Sequence, residues 1–208
     1  DNSTAFRFLP PVTLPDLAAF LVIQMEELGE IAELIGRKSD SLLWKERAEQ
    51  MLGKMLEKLF RDNRPLAIQT VTGEVTENES LILYLPIVLG GRLPAGVRSY
   101  LIEQLKSDRF YTEHGLATES PSSSLYESDG YWRGPIWAPS TMLLADGMWE
   151  CGEQEFVRDI TERFCRNVSR SGCAENYDAL TGAGLRDRAY TWTASVMLVM
   201  AHEYLKEE

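Results

Sequence analysis

At 208 residues the chain is long enough for one domain with its own core or two small ones, and 44% hydrophobic with 25% charged residues is the balance of a folded protein. A formal charge of −11 argues against nucleic acid or an anionic membrane as partner, because phosphate binding wants a net basic face, and it leaves a neutral ligand open. No apolar run approaches the roughly 18 residues of a membrane span.

In chain order, Thr13-Leu14-Pro15-Asp16 has the form of a capping box with proline in the first turn. Behind it Leu17, Leu21, Met25, Leu28, Ala32 and Ile35 recur at helical spacing until Gly36. A second helix is expected after Ser39-Asp40, with Trp44, Ala48, Met51, Leu52, Met55 and Leu59 as its apolar stripe, and the short turn between the two predicts an antiparallel hairpin. Residues 62–78 are polar, and Ile68, Thr70 and Val71 allow a short extended piece. Helices are then expected over 79–89, ended by Gly90-Gly91, and over 94–107. Residues 108–133 read as a long loop. Loops of that length inside a compact domain are usually functional or disordered, and Phe110, Tyr111, Tyr126, Tyr131 and Trp132 argue for order. Three further helices, over 135–151, 153–169 and 189–206, leave a second loop, 170–188, between the last two. Successive helix pairs and no convincing sheet predict an all-α fold of α/α-toroid or solenoid type, in a single domain over 1–208.

Two stretches stand out chemically. Tyr131-Trp132-Arg133-Gly134-Pro135-Ile136-Trp137 packs two indoles, a phenol and a guanidinium at the mouth of a predicted helix. Ala174-Glu175-Asn176-Tyr177-Asp178 puts two acids in an aromatic loop. Rings that stack on a sugar and a carboxylate that activates water are what glycosidic hydrolysis requires, together with a second carboxyl group to protonate the leaving oxygen. The acids on helix faces, such as Glu26, Glu30, Glu33, Glu46 and Glu49, read as solvated charge. Each candidate also has a plain structural reading. Glu175 and Asp178 could belong to an ordinary turn, Arg133 could be a salt bridge, and Trp137 and Trp192 could be core. Asp1 by itself reads as a solvated terminus. His114 lacks a second histidine nearby for a metal site, and no metal or organic cofactor is expected. Cys151, Cys165 and Cys173 have no Cys-x-x-Cys spacing, read as reduced thiols, and point to a cytoplasmic setting, although Asn-x-Ser/Thr triplets at Asn2, Asn78 and Asn167 permit a lumen.

The aromatic stretch, followed by Met142-Leu143-Leu144, resembles a motif of glycoside hydrolase family 63. Glu175-Asn176-Tyr177-Asp178-Ala179-Leu180-Thr181-Gly182-Ala183-Gly184 is similar to that family's Glu-x-(Phe/Tyr)-(Asp/Asn)-x-x-Thr-Gly-x-Gly stretch. Tyr190-Thr191-Trp192-Thr193-Ala194-Ser195 is similar to its last helix start, and Gly115–Pro121 fits loosely. Asp1-Asn2-Ser3 matches the end of a Gly-(Trp/Met)-Asp-Asn-Ser segment. The resemblance implies an inverting α-glycosidase acting on a terminal α-glucosyl or α-mannosyl linkage. Asp1 would be the general acid and Glu175 the general base. Trp132, Arg133, Trp137 and Trp192 would line the sugar subsite, with Tyr131 and Asp178 beside them. It also implies a six-hairpin barrel of twelve helices, of which about seven are expected here. The chain then reads as the C-terminal part of a catalytic domain, and the start on Asp1 without a methionine agrees with a processed chain or a fragment. The expected partners are an oligosaccharide or small glycoside, and either the missing N-terminal half of the barrel or a second copy. A trehalase- or glucoamylase-like hydrolase, or a non-catalytic sugar-binding or assembly fragment, are the alternatives.

Overall fold

The computed structural model describes Phe6 and residues 11–76 and 78–206. A short strand, β1 (Val12–Thr13), leads into α1 (Pro15–Leu34), and α2 (Lys38–Leu59) returns against it as the expected hairpin. Proline starts α1 because its missing N–H costs nothing in the first turn. The capping box does not form. Leu14 is the extended residue before the helix, and the Thr13 hydroxyl instead meets the Thr70 hydroxyl across a small ribbon.

That ribbon holds the short extended piece expected around Ile68, and a second hairpin lies beside it in sequence. β2 (Phe60–Arg61) and β3 (Arg64–Pro65) form a hairpin whose turn residues, Asp62 and Asn63, both have positive φ, as a two-residue primed turn demands. β4 (Ala67–Gln69) pairs with both β1 and β5 (Val75–Thr76). Strands of two or three residues are too short to show an alternating pattern, and beyond the extended piece around Ile68 the sequence carries no sign of them.

The helix expected over 79–89 is a 3₁₀ segment, Leu81–Arg92, containing Pro86 and kinked at Gly90, where φ is 50°. Leu81 through Ile87 are all buried, which is why the segment is apolar on every side. α3 (Ala95–Lys106) packs on it, and the β6 (Tyr111–Thr112)–β7 (Gly115–Leu116) hairpin opens the long loop. After β8 (Ile136–Trp137) come α4 (Ala138–Glu150) and α5 (Gln154–Ser171). Then follow β9 (Asn176–Tyr177), β10 (Gly184–Leu185) and α6 (Thr191–Tyr204).

α1, the 3₁₀ segment, α4 and α6 touch one another in succession, with α2, α3 and α5 packed behind them. Inner helices flanked by outer ones are the layering of an α/α toroid. The inner contacts are close: a Cβ on Gly147 of α4 would lie 2.6 Å from the Ile87 carbonyl oxygen. α5 is amphipathic as an outer helix must be, burying Phe156, Val157, Ile160 and Phe164. At the two ends of the succession apolar side chains face outward, with Leu17, Ile31, Leu34 and Ile35 on α1 and its turn, and Leu198 and Val199 on α6, exposed.

Candidate active site

A three-stranded ribbon, ordered β10-β9-β8, joins the two chemical stretches just before α4 and α6 begin. Trp137 pairs with Asn176, and Ile136 with Tyr177, so backbone hydrogen bonds set the aromatic stretch beside Glu175. Tyr177 is buried against Phe164, and its hydroxyl donates to the Gly172 carbonyl at 2.7 Å. The Glu175 N–H donates to the Asp187 carbonyl at 2.7 Å. The Thr193 hydroxyl donates to the Ala174 carbonyl at 2.7 Å, tying the start of α6 to the same strand. The candidate base thus stands on a main chain anchored from both sides.

The aromatic wall is built on Trp137, which is 1% exposed. Trp132 stacks on it with centroids 5.2 Å apart and planes 8° from parallel. Tyr131 and Trp192 meet it edge-on at 4.7 and 5.7 Å. Trp137 is the floor, Tyr131 and Trp132 are half-buried beside it, and Trp192 is exposed. The Trp137 indole N–H donates to the Tyr131 carbonyl at 2.9 Å, and the Tyr131 hydroxyl donates to Glu175 Oε1 at 3.0 Å. Burial, followed by the Glu175 carboxylate, pushes the Tyr131 phenol above its ordinary value, so it keeps its proton and acts as the donor. The tight turn before the wall depends on glycine. A Cβ on Gly134 would lie 2.3 Å from the Glu127 carbonyl oxygen, and one on Gly130 would lie 2.7 Å from Glu127 Cβ.

Arg133 takes the plain reading. Its fork grips the Glu127 carboxylate at 2.8 and 2.7 Å, closing the 127–133 turn. Asp178 does likewise, its Oδ1 accepting the N–H groups of Leu180 and Thr181 at 2.8 and 2.7 Å in an Asx-type turn. Both sit close to the wall, and both have their charge engaged within the protein. Asp1 lies outside the described residues. His114 is buried, with a Cβ on Gly182 falling 2.6 Å from its Nδ1, and Asn167 donates to its carbonyl at 2.8 Å. The three cysteines are free.

The structure also brings forward residues that the sequence does not single out as candidates. Glu119 is fully buried at the base of the long loop and accepts from the Ser123 hydroxyl at 2.5 Å. Burial raises its carboxyl to about 7. Its other oxygen has no hydrogen-bond partner among the described residues. The loop carrying Ser122–Leu125 rims an open cleft of about 610 Å³ that also holds Arg64, Tyr84, Tyr100 and Arg109. Arg186 lies 5.0 Å over the Tyr131 ring and pairs with Asp129 at 2.9 Å.

A carboxylate beside a stacked indole wall thus stands at the ends of inner helices of an α/α toroid. Residues 2–193 match the mannosylglycerate hydrolase MGH1-like glycoside hydrolase domain, and the chain belongs to that family. It is 28% identical over 187 residues to a mannosylglycerate hydrolase of Thermus thermophilus, covering 88% of this chain and 41% of that protein. It is 27% identical over 190 residues to a glucosylglycerate hydrolase of Mycolicibacterium hassiacum, covering 87% and 42%. The chain therefore spans about two fifths of the length of these relatives. In fold it is similar to a crystal structure of the family 63 mannosylglycerate hydrolase of Thermus thermophilus in complex with Tris and D-glycerate. That similarity has a TM-score of 0.77 at 23% identity and covers 90% of this chain and 45% of that one.

Proposed function

We propose that this chain supplies the general base and much of the sugar-stacking wall of an inverting α-glycosidase, with Glu175 as the base and Asp1 as the general acid. The substrate is a terminal α-mannosyl or α-glucosyl group. The relatives' names favour a small acidic aglycone such as glycerate. Asp1 protonates the glycosidic oxygen as the bond to the anomeric carbon breaks. Glu175 takes a proton from a water that attacks the same carbon from the opposite face, and the configuration inverts. This geometry requires the two carboxyl groups to stand roughly 6.5–9.5 Å apart. Trp132 and Trp192 stack on the sugar, and Trp137 holds Trp132 in place. The observation that carries the reading is the placement of Glu175 by a backbone ribbon next to the Trp132–Trp137 stack.

The chain forms the C-terminal part of the catalytic domain, and the outward apolar residues of α1 and α6 are the faces on which the rest of the barrel closes. The free thiols support a reducing compartment as its place of action. The test is Glu175→Gln in the protein as it occurs, assayed on mannosylglycerate and glucosylglycerate. Hydrolysis is expected to fall by about 10²-fold or more while sugar affinity is retained. Near-normal turnover in the variant would refute the assignment.

A further inference from the structure

We propose that Tyr131 is a positioning residue for Glu175 rather than a sugar contact, and that Arg186 and Asp129 clamp it in that role; the proposal rests on Glu175 being the base.

The backbone carries the first argument. Four non-glycine residues among those described have positive φ: Asp62, Asn63, Tyr131 and Arg186. The β2–β3 turn accounts for Asp62 and Asn63. Tyr131 at 64° is the second residue of the turn closed by the Arg133 N–H on the Gly130 carbonyl, a place that favours glycine, asparagine or aspartate, and Arg186 at 62° follows β10; a bulky side chain holds that conformation only where its surroundings impose it. These two residues stack on each other beside the candidate base, with the guanidinium 5.0 Å from the ring centroid. Arg186 is held in turn by Asp129, whose carbonyl accepts from it at 3.1 Å and whose carboxylate pairs with it at 2.9 Å. Two loops distant in sequence are clipped together at the point where the phenol meets the carboxylate.

The hydrogen bond carries the second. Tyr131 has one hydroxyl proton, and it is committed to Glu175 Oε1 at 3.0 Å. A phenol that recognised a sugar would turn that proton toward ligand. Fixing Oε1 orients the carboxylate so that Oε2 is the oxygen that receives the water proton. Among the described residues, Arg186 and Tyr190 bear on the phenol, and the Asp187 carbonyl holds the Glu175 N–H.

Tyr131→Phe removes the hydroxyl and keeps the ring between Trp137 and Arg186, so it preserves packing. In Tyr131→Phe kcat is expected to fall about tenfold with KM changed less than about twofold. In a Glu175→Gln background the same substitution should lower kcat no further, because its effect acts through that carboxylate. Arg186→Met should lower kcat in the same way by less, and Arg186→Lys should recover part of the loss. An unchanged kcat in Tyr131→Phe overturns the proposal. So does a raised KM with kcat intact, which is the signature of a sugar contact. Turnover surviving in Glu175→Gln would overturn the base assignment itself. That failure is distinguishable, because it is read from Glu175→Gln alone, whereas the positioning role is read from Tyr131→Phe in the parent.

Discussion

Glu119→Gln tests whether a buried acid holds the long loop at a cost that depends on pH. Glu119 is 0% exposed, accepts from Ser123, and is raised from 4.5 to about 7 first of all by burial. The like charge of Glu79 pushes the same way, and Ser123, Arg109 and Arg133 oppose it. Because the folded state holds this proton more tightly than the unfolded chain, its stabilising contribution is complete below about pH 4.5. That contribution is lost as pH rises through about 7. The difference between those two values corresponds to about 3 kcal/mol at most. Glutamine keeps the carbonyl that Ser123 bonds and cannot ionise. Thermal unfolding of parent and variant, followed from about pH 5 to about pH 8, should therefore show the parent losing stability relative to the variant. At about 2–4 °C per kcal/mol for a chain of this size, the relative change in Tm is about 6–12 °C. Other titrating groups are common to both proteins and cancel in the difference. Any cost of seating the new amide is independent of pH, so it displaces one curve without changing its slope. Parallel Tm–pH curves would refute the reasoning.

Two further outcomes follow from the packing. Gly147→Ala places a Cβ 2.6 Å from the backbone carbonyl of Ile87, which no rotamer change relieves. It should cost about 1–3 kcal/mol in urea unfolding. Trp132→Ala removes the ring stacked on Trp137. In a Glu175→Gln background it should weaken sugar affinity about tenfold or more by calorimetry, and unchanged affinity would remove Trp132 from the binding wall.

The helices were legible because each has either a regular apolar stripe or a glycine or proline at its end. Leu81–Arg92 is the exception. It is apolar on all sides, and Pro86 inside it makes the 3₁₀ form accessible where an α-helix was expected. The aromatic wall was legible because Tyr131, Trp132 and Trp137 are close in sequence. The turn role of Asp178 was one of its open readings, since an aspartate followed by Ala179-Leu180-Thr181-Gly182 suits an Asx turn. Arg186, Asp129 and Glu119 gave no such signal. Arg186 and Asp129 meet across 57 residues, and the burial of Glu119 comes from chain that folds over it. Charges of that kind look like solvated surface until tertiary structure places them.

The β8–β9–β10 ribbon has a consequence for how such a site can change over time. Its register is written in main-chain hydrogen bonds, so the spacing between the indole floor and the base does not depend on which side chains rim them. Substitutions of exposed residues beside the wall, such as Trp192, can alter what is admitted without moving the reacting group. An insertion within β9 is different, because one added residue turns every side chain of the strand to the opposite face. Divergence in substrate preference is therefore free to accumulate by point mutation at the rim, while length changes in the ribbon are barred.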